Sequence, residues 1–252
     1  MTELDIAMTA REPRRTSATS LWLGIIGVIM AALGAVGSGQ GFWPFTIGLL
    51  MVVIAFLLAI IGALLGVFAA IRKPAPSGLG KRIAIGLTLC GAVLVAIGPW
   101  IYRGVHFPPI HDITTDLANP PAFTTLPLRK DNLAGVDSVD KWRALHKAAY
   151  GDIAPIKVNL APPEVIALAI KQANARGWVI AAPTSAATAD RLEATATESP
   201  FKFKDDIVIV AAAMPDGTSS LVNMRSVSRV GASDFGVNAK RIRAFLAELQ
   251  LH

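Results

Sequence analysis

Three long apolar runs open the chain, and helically spaced or alternating apolar positions organise the rest of it. Leu21–Gly37, Phe45–Ile71 and Ile83–Tyr102 hold no charged residue. A helix needs roughly 17–25 apolar residues to cross a hydrocarbon core about 30 Å thick, so the three runs predict three transmembrane helices. A secretory signal is the competing reading of the first run, because a basic lead precedes it. That run is long for a signal core, no A-x-A-like site follows it, and two more apolar runs come next. A twin-arginine export signal is weaker still, since Thr16 and Ser17 follow Arg14-Arg15. Residues 1–20 are polar and irregular, which predicts a disordered lead. Ser38–Pro44 reads as an uncharged turn, and Arg72–Arg82 as a Pro/Gly loop carrying Arg72, Lys73, Lys81 and Arg82. The absence of charge inside the runs argues against an ion or proton pathway.

Beyond Arg103 the pattern changes to that of a packed domain. Pro108, Pro109, Pro120 and Pro121 rule out a regular helix over Phe107–Pro121. Gly135–Ser138 is a turn. Asp140–Tyr150 reads as a short helix with Trp142, Leu145 and Ala149 on one side, and Pro155–Leu160 as a short strand. Pro162-Pro163-Glu164 opens a clearer helix to Arg176, since proline suits the first turn and glutamate the positive helix end. Val165, Leu168 and Ala169 follow helical spacing, and Gly177 ends the helix. Strands are expected at Trp178–Ala182, Arg191–Thr197, Asp206–Ala213 and Ser219–Arg229. In the second of these, Leu192, Ala194 and Ala196 point one way and Arg191, Glu193 and Thr195 the other. Pro215-Asp-Gly217 joins the last two. Val222 and Met224 then share one face, and Asn223, Arg225 and Arg229 the other. The last helix, about Val237–Leu249, places Ile242, Phe245, Leu246 and Leu249 on one stripe. The resulting fold class is a membrane-anchored α+β protein: residues 1–20 as lead, three helices within 21–103, then an antiparallel sheet of about four strands in 104–252, with helices on one face.

Composition sharpens this picture. Of 252 residues, 53% are hydrophobic and 17% charged, with a mean hydropathy of +0.51; that is too apolar for an average soluble protein. Residues 1–103 carry 8 basic and 3 acidic groups (+5), leaving 16 basic and 15 acidic (+1) for the rest of a chain of net charge +6. The excess therefore borders the apolar runs, where it orients helices. The C-terminal part has no basic surplus to neutralise phosphates, which speaks against nucleic acid as a partner. Basic segments favour the cytoplasmic side, so the N-terminus is expected inside, the uncharged turn outside and the C-terminal domain outside. Trp22 marks the inner interface, and Trp43, Trp100 and Tyr102 the outer one. Gly62-Ala-Leu-Leu-Gly66 is a GxxxG pattern, continued by Gly24, Gly27, Ala31 and Gly34. It serves packing within the three-helix bundle or dimerisation. Cys90 is the only cysteine, which excludes an intramolecular disulfide and any Cys-based metal site.

Several motifs carry a family resemblance: His111-Asp-Ile-Thr-Thr-Asp116, Pro120-Pro-Ala-Phe123, Arg191-Leu-Glu-Ala194, Phe203-Lys-Asp-Asp206, and the run Arg225 to Ile242. Together they resemble the family called domain of unknown function 1499, from about Ile110 to Leu249. The family has no settled activity, so the resemblance implies a domain and its important positions, not a reaction. Asn223 stands where the family pattern has an acid, which counts against an acid role there.

The polar sheet face is the main candidate site. Arg225 and Arg229, with Glu193, Asp206, Ser228, Asp234 and Asn238, compose the candidate ligand-binding set. Guanidinium groups on a rigid sheet can grip a carboxylate or phosphate bidentately; the structural alternative is a solvated face with a Glu193–Arg225 cross-strand pair. Asp234 or Asn238 is expected to cap the final helix, unless its N–H groups and Arg229 form an anion site. Asp234-Phe-Gly236 lacks every other part of a kinase, and Gly231-Ala-Ser-Asp-Phe-Gly236 is not a hydrolase elbow. His106, His111, Asp112 and Asp116 are the nearest thing to a metal cluster, but their spacing matches no metal motif and suits Asx-turns. His146 is expected at the surface or core edge. Asp205-Asp206 is a candidate acid pair, against a salt bridge to an arginine. No cofactor is implied. Two functions follow: a membrane-tethered module that binds an envelope protein or small anionic ligand, with the lipid bilayer as its other partner, or an enzyme acting on an envelope component with Asp206 or Glu193 as base and Arg225 and Arg229 holding an anion. A pocket with an available carboxylate favours the enzyme; a face with every arginine paired favours the module.

Overall fold

A computed structural model describes residues 3–72, 79–181 and 190–251, with side chains from Arg15 onward. Lys73 of the basic loop and Ala182 of the expected strand lie outside the described residues. The chain divides into two compact units, Met1–Tyr102 with Pro200–Lys202, and Arg103–Ser199 with Phe203–His252.

The first unit is built on three helices: α1 (Glu3–Gly39), α2 (Phe45–Ile71) and α3 (Leu79–His106). All three are long and apolar enough to cross a membrane. Two boundaries differ from expectation. The helix α1 begins at Glu3, because Leu4, Ala7, Met8 and Ala10 are good helix formers and extend a ladder already nucleated in the apolar run. Lys81 and Arg82 lie in the first turns of α3 and not in a loop. Small residues let the helices meet. Ser20 Oγ donates to the Gly62 carbonyl at 2.7 Å. A Cβ built on Gly62 would stand 2.7 Å from Cys90 Sγ, and one on Gly66 2.7 Å from Leu87 and 2.8 Å from Ser20 Oγ. The GxxxG pattern is thus filled by contacts inside the bundle. Leu57, Leu64, Val67 and Val95 stay exposed, as apolar side chains facing lipid do.

The second unit is an antiparallel sheet packed with helices. Its strands are β1 (Asp112–Thr114), β2 (Ile156–Val158), β3 (Val179–Ile180), β4 (Arg191–Glu198), β5 (Phe203–Ala213) and β6 (Ser220–Ser228), in the order β1-β6-β5-β4-β3, with β2 on the other end of β6. The sheet has six strands where about four were expected. The extra strand β1 is three residues long and follows two prolines, so it shows no alternation to read. The helices are α4 (Val139–Tyr150), α5 (Pro162–Ala175) and α6 (Val237–Leu249). The Glu164 carboxylate reaches back to the Ala161 N–H at 3.0 Å and fixes the start of α5. Gly177, at φ +68°, ends that helix in a conformation suited to glycine.

The core lies between α5, α6 and one sheet face. Leu192, Ala194 and Ala196 of β4, Ile207 and Ile209 of β5, and Val222 and Met224 of β6 join Ile242, Phe245, Leu246 and Leu249 of α6 in one buried cluster. Each large apolar side chain there contributes roughly 1.5–3 kcal/mol, as an upper bound. On α4 the buried stripe is Trp142, His146 and Tyr150. Leu145 is only half-buried and Ala149 is exposed, so the helix is rotated from the expected side. The imidazole of His146 takes the inner position because its Nε2 accepts the Thr114 N–H at 3.1 Å.

Candidate functional site

The antiparallel register sorts the polar side chains into rows. On the face away from the helices run Glu193–Val208–Arg225–Thr114 and Thr195–Asp206–Val227–Asp112. This face is not open. The segment 116–134 lies over it and is tied down by the residues expected to bind a ligand.

Arg225 is one tie. Its Nε and Nη2 donate to the two Asp112 oxygens at 2.9 and 2.6 Å, and Nη1 donates to the Pro121 carbonyl at 3.1 Å. The Arg225 and Asp112 side chains are 10% and 3% exposed, and the Phe123 ring lies 5.8 Å from the guanidinium. Glu193 is another. It accepts from the backbone N–H groups of Thr124, Thr125 and Leu126 at 2.6–3.0 Å and from the Thr124 hydroxyl at 2.7 Å. Burial pushes its carboxyl up, but the Leu126, Thr124 and Thr125 donors outweigh this and hold it below the usual range. The expected Glu193–Arg225 pair does not form, because β5 runs between the two strands. Arg191, two residues away on the same strand, pairs with Glu193 instead at 3.3 Å, and also donates to Ala122 O and Thr124 Oγ1.

Asp206 and Arg229 stand at the margin of this cover. Arg229 donates from Nε and Nη2 to the two Asp206 oxygens, both at 2.8 Å, and the Thr195 hydroxyl adds a third bond at 2.8 Å. Arg229 remains 39% exposed. Beside it Arg129, a residue the sequence reading missed, donates to Ser228 O and Gly231 O and pairs with Asp131. Between them opens a shallow recess of about 10 Å³, lined by Phe123, Pro127, Leu128, Val227 and Ser228 as well as Asp206, Arg229 and Arg129.

The remaining candidates belong to the opposite face. Ser228 and Ser226 point toward α6, not toward Arg225. Ser228 Oγ accepts from Asn238 Nδ2 at 2.9 Å, and Ser226 Oγ donates to Asn238 Oδ1 at 2.7 Å. Arg241, unmarked in the sequence reading, donates to Ser226 Oγ, Asn238 Oδ1, Glu198 and Asp205. Asp205 and Asp206 therefore face opposite sides of β5, each paired with its own arginine, and form no acid pair. Asp234 caps α6 by accepting the Gly236 N–H at 3.0 Å and the Asn238 N–H at 2.7 Å. Burial pushes its carboxyl up to about 6 against these bonds. A carboxylate of the chain thus occupies the helix N-terminus where an anion site with Arg229 had been an alternative.

The segment 106–116 does not converge as a ligand set. Asp112 serves Arg225. Asp116 Oδ1 accepts from Ala118 and Asn119 N–H at 2.9 Å, an Asx-turn. Among the described residues no group of three His, Cys, Asp or Glu side chains is placed to hold a metal ion. His111 is 1% exposed, and neither ring nitrogen has a well-formed hydrogen bond; burial first, then the Arg129 charge, pushes its imidazole below the usual range. Arg241, and Asp112 as the partner of an arginine, were findable only through their buried helix and strand positions. Arg129 sits in Leu-Pro-Leu-Arg-Lys, which carries no periodic signal.

These features define a membrane protein with three candidate spans followed by an antiparallel α+β domain. The chain belongs to the family described as Protein of unknown function (DUF1499), whose model matches residues 112–249. No curated protein and no solved structure matches it.

Proposed function

We propose that this is a multi-pass protein of the cell inner membrane that presents residues 104–252 in the periplasm as a non-catalytic module binding a partner protein. The topology rests on Arg11, Arg14, Arg15, Arg72, Lys73, Lys81 and Arg82, which flank the same side of the three spans, and on the uncharged turn at the other side. A reporter active only in the periplasm, fused after His252, tests it; an inactive fusion overturns this placement.

The observation that carries the binding reading is the saturation of the carboxylates. Glu193 accepts five hydrogen bonds and Asp206 three. A general base needs a lone pair within reach of the proton it removes, and these groups spend theirs on the fold. What the polar face offers is the recess at Arg229, about 10 Å³ against roughly 300–1,000 Å³ for a typical ligand pocket, with an exposed apolar rim that another protein's surface can cover. A photo-crosslinking phenylalanine at Leu128 of the full chain, irradiated in intact cells, tests this reading. A cross-linked protein adduct is expected; none from Leu128 or from Lys204 refutes it.

A further inference from the structure

Building on that binding reading, we infer that the partner docks an acidic peptide segment at the Arg229 recess, with an Asp or Glu carboxylate beside an apolar residue. Arg229 meets Asp206 side-on, through Nε and Nη2, and Nη2 also reaches Thr195 Oγ1 at 3.1 Å. Its Nη1 has no partner among the described residues. The planar guanidinium therefore keeps a pair of N–H donors for an incoming oxygen.

Charge selects the occupant. Arg129 and Arg229 line the recess against Asp206; with Lys204 on the Asp206 strand face and Asp131 paired to Arg129, the local balance is +1. Lys204 stands two residues before Asp206 on the same strand face, and its carbonyl accepts the Arg229 N–H at 2.9 Å. The recess of about 10 Å³ has room for one water-sized group, which suits a single carboxylate oxygen. Phe123, Pro127 and Leu128, with Leu128 42% exposed, supply apolar contact for the neighbouring residue. A buried carboxylate in such a pair binds through charge-assisted bonds, while the exposed apolar rim excludes water around it.

The test is the Leu128 photo-cross-link in cells, made in the unsubstituted chain and in Lys204→Glu, Arg229→Lys and Arg229→Gln. Lys204→Glu reverses the local charge without breaking the Arg229–Asp206 pair, so folding is not at issue in that variant. The adduct is expected to fall about tenfold in Lys204→Glu and Arg229→Gln, and by less in Arg229→Lys, which keeps the charge but loses the planar pair of donors. Mass spectrometry is expected to place Asp or Glu within about three residues of the linked position, the reach of the probe along an extended chain. An adduct of undiminished yield in Lys204→Glu, a linked peptide without an acid, or a linked lipid overturns the acidic-peptide inference and leaves the module reading standing or falling on its own adduct. No adduct in the otherwise unsubstituted chain, from a probe at Leu128 or at Lys204, removes both.

Discussion

Substituting Arg225→Ala tests whether this arginine holds the fold or a ligand. The Arg225–Asp112 pair is bidentate and almost fully buried. Alanine leaves the Asp112 carboxylate buried with the Asn132 amide as its remaining side-chain donor, and it frees the Pro121 carbonyl. Removing one partner of a buried pair costs about 3–5 kcal/mol, because the surviving charge stays desolvated. A domain is stable by roughly 5–15 kcal/mol, so the loss is about a fifth of the total or more. At about 2–4 °C per kcal/mol for a chain of this size, the melting temperature falls by roughly 6–20 °C. The measurement is thermal unfolding of the full chain in detergent, followed through tryptophan fluorescence. Trp142 is well placed to report, since its indole N–H donates to the Asp112 carbonyl at 2.9 Å, and a Trp142→Phe reference isolates its signal. The double variant Arg225→Met with Asp112→Leu removes both charges and is expected to recover much of the loss. A binding-site arginine behaves otherwise, since its removal leaves stability unchanged or raised. Unchanged melting in Arg225→Ala, or additive losses in the double variant, refutes the structural assignment.

Four further outcomes are expected. Glu193→Gln removes the charge that gathers three backbone N–H groups and should cost about 2–4 kcal/mol, with faster amide exchange at Thr124–Leu126. Since the folded Glu193 carboxyl lies below its ordinary value, its contribution is complete above the unfolded pKa of about 4.3 and is lost as pH falls through the folded one; melting curves below about pH 4.5 in wild type and variant measure this. Asp234 has the opposite sign: at about 6 when folded, it makes the fold more stable as pH drops from about 6 to 4, on the order of 3 kcal/mol, and the slope vanishes in Asp234→Asn. Gly236→Ala should cost about 2 kcal/mol or more by chemical denaturation, because φ is +79° and the new Cβ would meet the Phe107 ring at 2.3 Å. Gly62→Val should lower thermal stability in detergent without changing the oligomeric state on size exclusion, because Cys90 Sγ and Leu23 already fill that groove.

The parts of the fold legible in the sequence are those whose periodicity answers to one partner. Phe45–Ile71 and Val237–Leu249 carry their apolar positions against lipid or one sheet face, and both helices end where the pattern ends. The alternation of Leu192, Ala194 and Ala196 likewise fixes which face of β4 meets the core. The site was less legible because alternation assigns a face but not what covers it. Arg225 and Glu193 were placed on the polar face, and their partners, Asp112 and the N–H groups of Thr124–Leu126, lie about 110 and 70 residues away in sequence. Ser228 shows the complementary error. Its neighbours in sequence suggested the arginine face, yet the period of two puts it with Ser226 against α6.

The covered face has a cause in the covering segment itself. Pro120, Pro121 and Pro127 lack N–H groups, and proline also disfavours a helical residue before it. A segment so built cannot satisfy its backbone through a ladder, yet buried carbonyls and N–H groups need partners. The sheet supplies them as side chains: Arg225 to the Pro121 carbonyl, Arg191 to the Ala122 carbonyl, Glu193 to the three N–H groups after Phe123. A dense polar strand face is therefore what a proline-rich cover requires, and by itself it does not mark a ligand site. Arg229 differs from its neighbours on this account. Its bonds run to Asp206 and Thr195 within the sheet, and none goes to the covering segment. The requirement that explains Arg225, Arg191 and Glu193 leaves Arg229 unexplained, and its exposed Nη1 edge is the part of the polar face left for a partner.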